Sequence, residues 1–95
     1  MARAKNKYHH RLRIYRRRMG YTQREVADKL GHKDTSLVSR WESGTANLSL
    51  ENAVRLSKLY KTLVNQLVYE LDREIGQELF PHEKQLRHRG NDPNS

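Results

Sequence analysis

The stretch TQREVADKLGHKDTSLVSRWESG, residues 22–44, predicts two short helices joined at a glycine. Thr22 and Glu25 have the spacing of a capping box, in which the hydroxyl accepts the Glu25 amide and the carboxylate accepts the Thr22 amide. Gly31 ends the first helix because glycine adopts a positive φ at low cost. We therefore predict a helix of about nine residues after Thr22 and then a turn of about three residues. Ala27 provides the small side chain that two closely crossing helices need at their contact.

The second helix of this pair has one apolar face and one polar face. Asp34 is its predicted N-cap and Gly44 its end. Val38 and Trp41, three residues apart, are predicted to anchor the inner face in the core. Small polar side chains let a helix enter a major groove closely, and an arginine there can donate paired hydrogen bonds to a guanine edge. This layout is typical of a helix-turn-helix. The residues off the inner face are Thr35, Ser36, Leu37, Ser39 and Arg40.

Three more helices are predicted around this pair, which gives an all-α domain of five helices with an extended last one. The first helix begins after Asn6 as its N-cap and ends at Gly20. The fourth begins after Ser49, and the fifth begins after Thr62 and ends at Pro81. The sequence has no strand-like alternation, internal repeat or second domain. The fourth helix is predicted to turn inward its apolar residues, Leu50, Ala53, Val54, Leu56 and Tyr60.

The last predicted helix has an apolar residue at every fourth position from Leu63 to Leu79. A step of four residues overshoots one helical turn, so this row rotates by about 160° along the helix. Ile75, Leu79 and Phe80 therefore cannot face the core that Leu63 faces. Apolar residues outside a core usually mark an interface, so we predict that these three form the contact of a homodimer. The alternative is that Gly76 bends the helix and returns them to their own domain.

The positive charge of the chain is concentrated at its N-terminus. The net charge is +8, and residues 1–20 carry eight Lys or Arg and no acid, whereas residues 21–95 carry eleven of each sign. Such a block attracts polyanions, which makes nucleic acid the expected partner. The alternative is a solvated basic tail that only aids solubility. An acidic stretch, Glu70, Asp72, Glu74 and Glu78, is interpreted as a solvated face or as the acceptor of a basic arm from a second subunit.

Several functional classes are not expected from this composition. The chain has no cysteine, which excludes disulfides and thiolate chemistry and fits the cytosol. No apolar run is long enough to span a membrane. The histidines lack the spacing of metal ligands, and no nucleophile and base pair or phosphate-cradling glycine loop is present. We expect no enzymatic activity, no cofactor, no metal site and no small-molecule ligand.

Three motifs together carry a family resemblance. They are TQREVADKLG at residues 22–31, SRWESG at residues 39–44 and LSLENAVRLSKLY at residues 48–60. With the residues around them, about 8–71, they resemble the Xre, Cro and phage-repressor family of five-helix DNA-binding domains. The chain departs from the family in two respects. Gly31 to Glu42 is one residue longer than the commonest spacing, and Leu48 stands where the family usually has a proline before the fourth helix. The resemblance implies a lambda-repressor-like fold and a partner of double-stranded DNA.

The resemblance also implies roles for individual positions. Arg16 in the first helix would pair with the Glu42 carboxylate, as a structural pair. Gln23 would grip a phosphate and brace the recognition helix, or it is only a good helix former. Arg40 would read a base, or it points along the groove to phosphate. The other base-reading positions are Thr35, Ser36 and Leu37, with Leu37 on a thymine methyl; the further backbone positions are Ser39, Lys33 and Asn47.

We divide the chain into a basic arm, residues 1–6, a DNA-binding domain, residues 7–80, and a polar tail, residues 81–95. Arg3, Lys5 and Lys7 are expected to lie on the phosphates. The sequence favours a repressor that binds a two-fold operator as a homodimer in the cytoplasm, on a prokaryotic or phage nucleoid. Two alternatives stay open: an antitoxin-type interaction protein that binds DNA to regulate itself, and an RNA-binding or bridging module with the same fold.

Overall fold

The computed structural model describes residues 6–82 and contains only helices there. This confirms the predicted all-α fold, although the last predicted helix is divided into two. Residues 1–5 of the basic arm, with Arg3 and Lys5, and residues 83–95 of the tail lie outside the described part. The helices are α1 (His9–Arg18), α2 (Gln23–Lys29), α3 (Ser36–Ser43), α4 (Leu50–Leu59), α5 (Val64–Leu67) and α6 (Tyr69–Leu79).

The predicted signals at the helix ends are confirmed at most positions. Thr22 accepts the Glu25 amide at 3.0 Å and its own amide donates to the Glu25 carboxylate at 2.8 Å, which completes the capping box of α2. The Ser49 hydroxyl accepts the Asn52 amide at 3.1 Å at the start of α4. Gly31 has a φ of +79°, so the chain can leave α2 through a left-handed residue.

The core lies where α3 packs against α1 and α2. Val38 and Trp41 are 1% and 2% exposed, which confirms that they form the inner face of α3. Ala27 is fully buried in α2, as expected for the crossing of two closely packed helices. The buried cluster comprises Tyr8, Leu12, Val26, Ala27, Val38, Trp41, Leu56, Tyr60 and Leu67.

Asn6 is not the N-cap of α1, as the sequence predicted, but a buried bridge. It is 2% exposed, and α1 begins two residues later, after Tyr8. The Asn6 amide group donates to the carbonyls of Trp41 at 3.0 Å and Ala46 at 2.7 Å. Its backbone N–H donates to the Gly44 carbonyl at 3.1 Å, and its side-chain oxygen accepts the Tyr8 N–H at 3.2 Å. This one side chain therefore satisfies carbonyls at the end of α3, where helices leave acceptors unpaired.

The turn between α2 and α3 is longer than predicted. Six residues separate the two helices, from Leu30 to Thr35, rather than about three. Thr35 occupies the N-cap position without a side-chain cap bond. Asp34 instead accepts the Ser36 N–H at 2.9 Å, and this hydrogen bond lowers the pKa of the Asp34 carboxyl. The extra residue in this part of the sequence therefore enlarges the turn and leaves α3 in register.

The predicted fifth helix breaks at Val68, whose φ and ψ are −112° and +41°. Thr62 does not cap it, because Leu63 holds the N-cap position in an extended conformation with no side-chain cap bond. Leu63 is also 64% exposed and does not face the core, whereas Leu67 is fully buried. Of the apolar residues at every fourth position, only Leu67 and Leu71 therefore contact the core.

Two of the apolar residues that were predicted to face inward from α4 face solvent instead. Leu50 is 75% exposed and Val54 is 41% exposed. The inner face of α4 is formed by Ala53, Leu56 and Ser57. The prediction was wrong because it placed every apolar residue of a short helix inside, although α4 buries only one stripe.

The distal part of α6 projects from the core as predicted. Ile75, Leu79 and Phe80 are 43%, 62% and 57% exposed. The helix continues through Gly76, so a bend at this glycine does not return them to the domain. None of the residues of α6 is buried.

The proximal part of α6 is held to the start of α1 by charge. Arg11 donates to the Glu70 carboxylate at 2.8 Å, and Lys7 lies 2.6 Å from Glu74. The Arg11 guanidinium also lies over the Tyr69 ring, 4.7 Å from its centroid. The acidic stretch is thus not only a solvated face, because two of its carboxylates pair with cations of the same chain.

The Asn6 bridge yields a prediction for stability. Asn6→Ala leaves the buried carbonyls of Trp41 and Ala46 without their side-chain donor, and should lower the free energy of unfolding by about 1–3 kcal/mol. Asn65→Ala, at an exposed position of α5, is the matched control and should change it little. Urea denaturation measures both. Equal midpoints for the two variants would contradict a structural role for Asn6.

Candidate nucleic-acid interface

The outer face of α3 is exposed and polar along its length. Ser36, Ser39 and Arg40 are exposed, and Thr35 before the helix is half-buried. Within residues 6–82 the Arg40 side chain takes part in no ion pair or hydrogen bond, so its donors are available to a ligand. An exposed guanidinium among small side chains is the arrangement that reaches a base edge.

The other predicted interface residues are distributed around this face. Leu37 is half-buried and packs against the core cluster, so only part of its side chain can meet a thymine methyl. Lys33 is exposed in the turn before α3, and Asn47 is exposed in the loop after it. The structure therefore places one predicted phosphate contact beyond each end of the recognition helix.

Arg16 and Glu42 form a buried pair behind the recognition helix. Arg16 Nε lies 2.7 Å from Glu42 Oε2, and Nη2 lies 3.0 Å from Oε1, which makes the contact bidentate. The remaining Arg16 nitrogen donates to the Tyr21 carbonyl at 2.9 Å. The hydrogen bond to Glu42 raises the pKa of Arg16. Because Glu42 is only 2% exposed, its carboxylate would be costly to bury without this partner.

Two more side chains complete the surroundings of Glu42. Gln23 Nε2 donates to Glu42 Oε1 at 3.1 Å, which ties the first residue of α2 to the end of α3. Arg13 Nη2 donates to the Glu42 carbonyl at 3.3 Å, and its Nε lies 3.9 Å from Oε1. Gln23 thus braces α3 as the resemblance implied, and its contact with a phosphate stays a prediction. Two arginines around one carboxylate leave this cluster with a positive charge.

The basic arm is only partly described. Arg3 and Lys5 lie outside residues 6–82, and Lys7 points its ammonium group at Glu74 rather than into solvent alone. The side chains of Lys7 and Glu74 are 61% and 50% exposed, so this ion pair is open to competing ions. A carboxylate partner therefore stands at the position where the sequence predicted a phosphate.

Three residues near the interface were missed by sequence reasoning. Asn6 was interpreted as a cap, and no sequence signal distinguishes a cap from a buried bridge to a distant loop. Arg13 was counted only as part of the basic block, although it lies one turn before Arg16. Arg11 was missed in the same way, although its spacing from Lys7 matches the spacing between Glu70 and Glu74.

Residues 6–82 contain neither a membrane-spanning helix nor a cluster of metal ligands. No helix there is long and apolar enough to cross a membrane. Residues 6–82 also contain no group of three or more His, Cys, Asp or Glu side chains arranged to hold a metal ion.

The Arg16 and Glu42 pair yields a second prediction. Glu42→Gln leaves a buried arginine without its counter-charge and should lower the free energy of unfolding by about 3 kcal/mol. This value is the lower end of the range for a broken buried ion pair, because glutamine still offers Arg16 one hydrogen-bond acceptor. Glu78→Gln makes the same change at an exposed position of α6 and should have almost no effect. Urea denaturation compares the variants. A wild-type midpoint for Glu42→Gln would assign the pair no role in stability.

Comparison with known families identifies the fold and its class of ligand. Residues 12–65 match the family described as helix-turn-helix. The match covers more than half of the chain, includes α2, α3 and α4 completely, and ends before α6. This confirms the resemblance drawn from the sequence motifs. Comparison with curated proteins and with solved structures gives no match. The family is DNA-binding and regulatory, and it is typically non-enzymatic.

Proposed function

This chain belongs to the helix-turn-helix family, and we propose that it is a sequence-specific regulator of transcription that reads duplex DNA with α3 in the major groove. The proposal depends on one observation, the division of α3 into a buried apolar face and an exposed polar face. Val38 and Trp41 hold the helix to the core, while Ser36, Ser39 and Arg40 face outward. A helix presented in this way fits the major groove of B-DNA, which is about 12 Å wide.

Arg40 is the proposed principal base contact. Its five donors can form two parallel hydrogen bonds to the O6 and N7 acceptors of guanine, which is the commonest specific contact of arginine. Thr35 and Ser36 stand at the start of α3 and supply hydroxyls to neighbouring bases, with Leu37 beside a thymine methyl. Gln23 is proposed to contact a phosphate while it braces Glu42. The remaining phosphate contacts are assigned to Lys33, Ser39, Asn47 and the arm residues Arg3 and Lys5.

Duplex DNA is favoured over double-stranded RNA by the shape of the groove. The major groove of A-form RNA is deep and narrow, and side chains on a helix cannot read base edges there. The outer face of α3 presents small hydroxyl side chains and one arginine rather than the aromatic platform on which single-stranded bases stack. We propose that the protein represses transcription, because a repressor that occupies an operator needs no surface beyond the one that binds DNA.

The proposed DNA-bound form is a homodimer that meets through the distal part of α6. Ile75, Leu79 and Phe80 are exposed there, and Gly76 lies among them. A glycine inside a helix costs about 0.5–1 kcal/mol relative to alanine. A Cβ at Gly76 would meet no atom within 4 Å, so the described chain itself does not require the glycine. A second α6 could approach closely at this point, since the glycine has no side chain.

The role of Arg40 yields a third prediction. Arg40→Ala should weaken binding to the best site by about 1–3 kcal/mol and relax the preference at one base position. Arg73→Ala, which removes the same charge from an exposed position of α6, should leave the preferred sequence unchanged. Selection of bound sites from random duplex DNA, followed by affinity measurements, checks both variants. An unchanged motif for Arg40→Ala would contradict base reading, and equal affinity of the wild type for RNA duplexes would contradict the DNA function.

The α6 contact yields a fourth prediction. Ile75→Asp with Leu79→Asp should give a folded monomer that binds single half-sites weakly, whereas the wild-type dimer should select half-sites about 10 base pairs apart. Leu50→Asp with Val54→Asp is the matched control, because these residues also lie four apart and are exposed. Sedimentation measures the assembly state, and an unchanged dimer for the α6 variant would place the interface elsewhere.

Gly76→Ala tests the same contact from the opposite side. Alanine should favour the isolated helix by up to about 1 kcal/mol and yet weaken association, because its methyl group separates the two helices. A stronger dimer for Gly76→Ala would contradict a close crossing at this residue.

A further inference from the structure

Two ion pairs join α1 and α6 in register. Arg11 lies in the first turn of α1, and Lys7 lies four residues earlier, just before the helix. Glu70 and Glu74 also lie four residues apart, one turn of α6. Arg11 makes a bidentate contact with Glu70, with Nη2 at 2.8 Å from Oε2 and Nε at 3.1 Å from Oε1. Lys7 Nζ lies 2.6 Å from Glu74. Two carboxylates one turn apart on α6 thus pair with two cations, one in α1 and one just before it.

These pairs are open to exchange with other anions. The side chains of Lys7 and Glu74 are 61% and 50% exposed, and those of Arg11 and Glu70 are 33% and 43% exposed. Exposed ion pairs contribute little to stability, because water and salt screen them. Leu71 packs partly against the core and holds this part of α6 near α1, but no residue of α6 is buried and the two carboxylates stay open to solvent. An anion of higher charge density can therefore replace them.

Lys7 lies beside the segment that follows α3, and Arg11 lies further along the chain, in the first turn of α1. Lys7 is the next residue after Asn6, whose backbone N–H and side chain donate to Gly44 and Ala46. These hydrogen bonds fix the start of α1 against the end of α3 and the loop that leads to Asn47. A duplex that occupies α3 and this loop would bring its backbone to the same edge of the protein. Phosphate and carboxylate groups both offer two oxygens to a guanidinium, so they compete for the same donors.

We propose that Lys7 and Arg11 form an additional phosphate-binding site for duplex DNA, and that Glu70 and Glu74 occupy this site in the free protein. The inference rests on the proposed function and names a site and a regulation that the helix-turn-helix motif itself does not contain. The α6 carboxylates compete with phosphates, so they weaken binding to DNA of any sequence. They are displaced when α3 is seated on a preferred sequence and the backbone lies next to α1, and they keep their pairs on duplex of random sequence.

The test compares two variants of α6 that change its charge equally. The competitor variant combines Glu70→Gln with Glu74→Gln. The control variant combines Asp72→Asn with Glu78→Gln, which are exposed acids on the same helix that form no ion pair within residues 6–82. Dissociation constants for a random-sequence duplex are measured by fluorescence anisotropy between 50 and 200 mM salt, about the range over which phosphate contacts are resolved.

The competitor variant should bind the random duplex more tightly and with a steeper dependence on salt. Each phosphate contact that is gained should steepen the slope by about 0.9, and at 0.1 M salt it should raise affinity by up to about eightfold. The control variant should keep the wild-type slope, because Asp72 and Glu78 pair with neither Lys7 nor Arg11 within residues 6–82 and so do not compete with phosphate for them. Adding Lys7→Gln and Arg11→Gln to the competitor variant should return its slope to the wild-type value.

A second measurement uses the wild-type protein and does not depend on the folding of a variant. The hydrogen bond from Arg11 lowers the pKa of the Glu70 carboxyl below its ordinary value of 4.5. Binding of a duplex selected for the wild-type protein should release Glu70 and return this pKa toward the ordinary value, which NMR titration of the carboxyl carbon measures. An unchanged pKa in the complex would overturn the inference.

The outcomes separate the inference from the function on which it rests. A wild type that binds duplex, with equal slopes for the competitor and control variants, overturns the additional site and leaves the proposed function standing. A wild type that binds no duplex overturns both. If the salt dependence of affinity is steeper for the competitor variant and unchanged for the control variant, Lys7 and Arg11 form the additional site and Glu70 and Glu74 occupy it in the free protein.

Discussion

The buried contact between Arg16 and Glu42 is the interaction on which the arrangement of α3, the helix proposed to read DNA, depends. Glu42 ends the inner face of α3, and it accepts hydrogen bonds from Arg16 of α1 and Gln23 of α2. A buried carboxylate is costly unless it is paired and hydrogen-bonded, so all three helices must take one relative position to satisfy it. Apolar packing of Val38 and Trp41 holds α3 in place, and the polar cluster defines its rotation. The direction of Arg40 follows from that rotation.

A second constraint acts at the same end of α3, on the carbonyls that follow Glu42 or lie just before it. Asn6 is buried and bonds to the carbonyls of Trp41, Gly44 and Ala46, so the start of α1 closes the end of α3. The Tyr8 hydroxyl extends this contact by accepting the Leu48 N–H at 2.9 Å. Burial of these polar groups is tolerated because each finds a partner. As a result, Asn6, the last residue of the basic arm, lies next to the loop that is proposed to face the ligand.

The charge of the chain has a distribution that the net value of +8 conceals. Arg16 is neutralised inside the domain, and Arg11 and Lys7 meet carboxylates of α6. These contacts reduce the positive field that the N-terminal block presents to a distant polyanion. In the proposed complex, phosphate groups displace the two α6 carboxylates, and Lys7 and Arg11 then contribute their positive charge to DNA binding. In this arrangement α6 has two parts, a proximal acidic part that pairs with α1 and a distal apolar part that is proposed to meet a second copy.

The sequence by itself determined those features that depend on neighbours along the chain. The capping box at Thr22, the left-handed Gly31, and the inward faces of Val38 and Trp41 follow from local hydrogen bonding and helical periodicity, and the structure confirms them. The family motifs also named Arg16 and Glu42, which lie in contact.

Only the tertiary structure decided the features that depend on packing. The break at Val68, the exposure of Leu63 and Leu50, the burial of Asn6 and the pairing of α1 with α6 involve residues far apart in sequence. An apolar or polar residue carries no local signal of which distant surface it meets, because that surface exists only after the helices have packed.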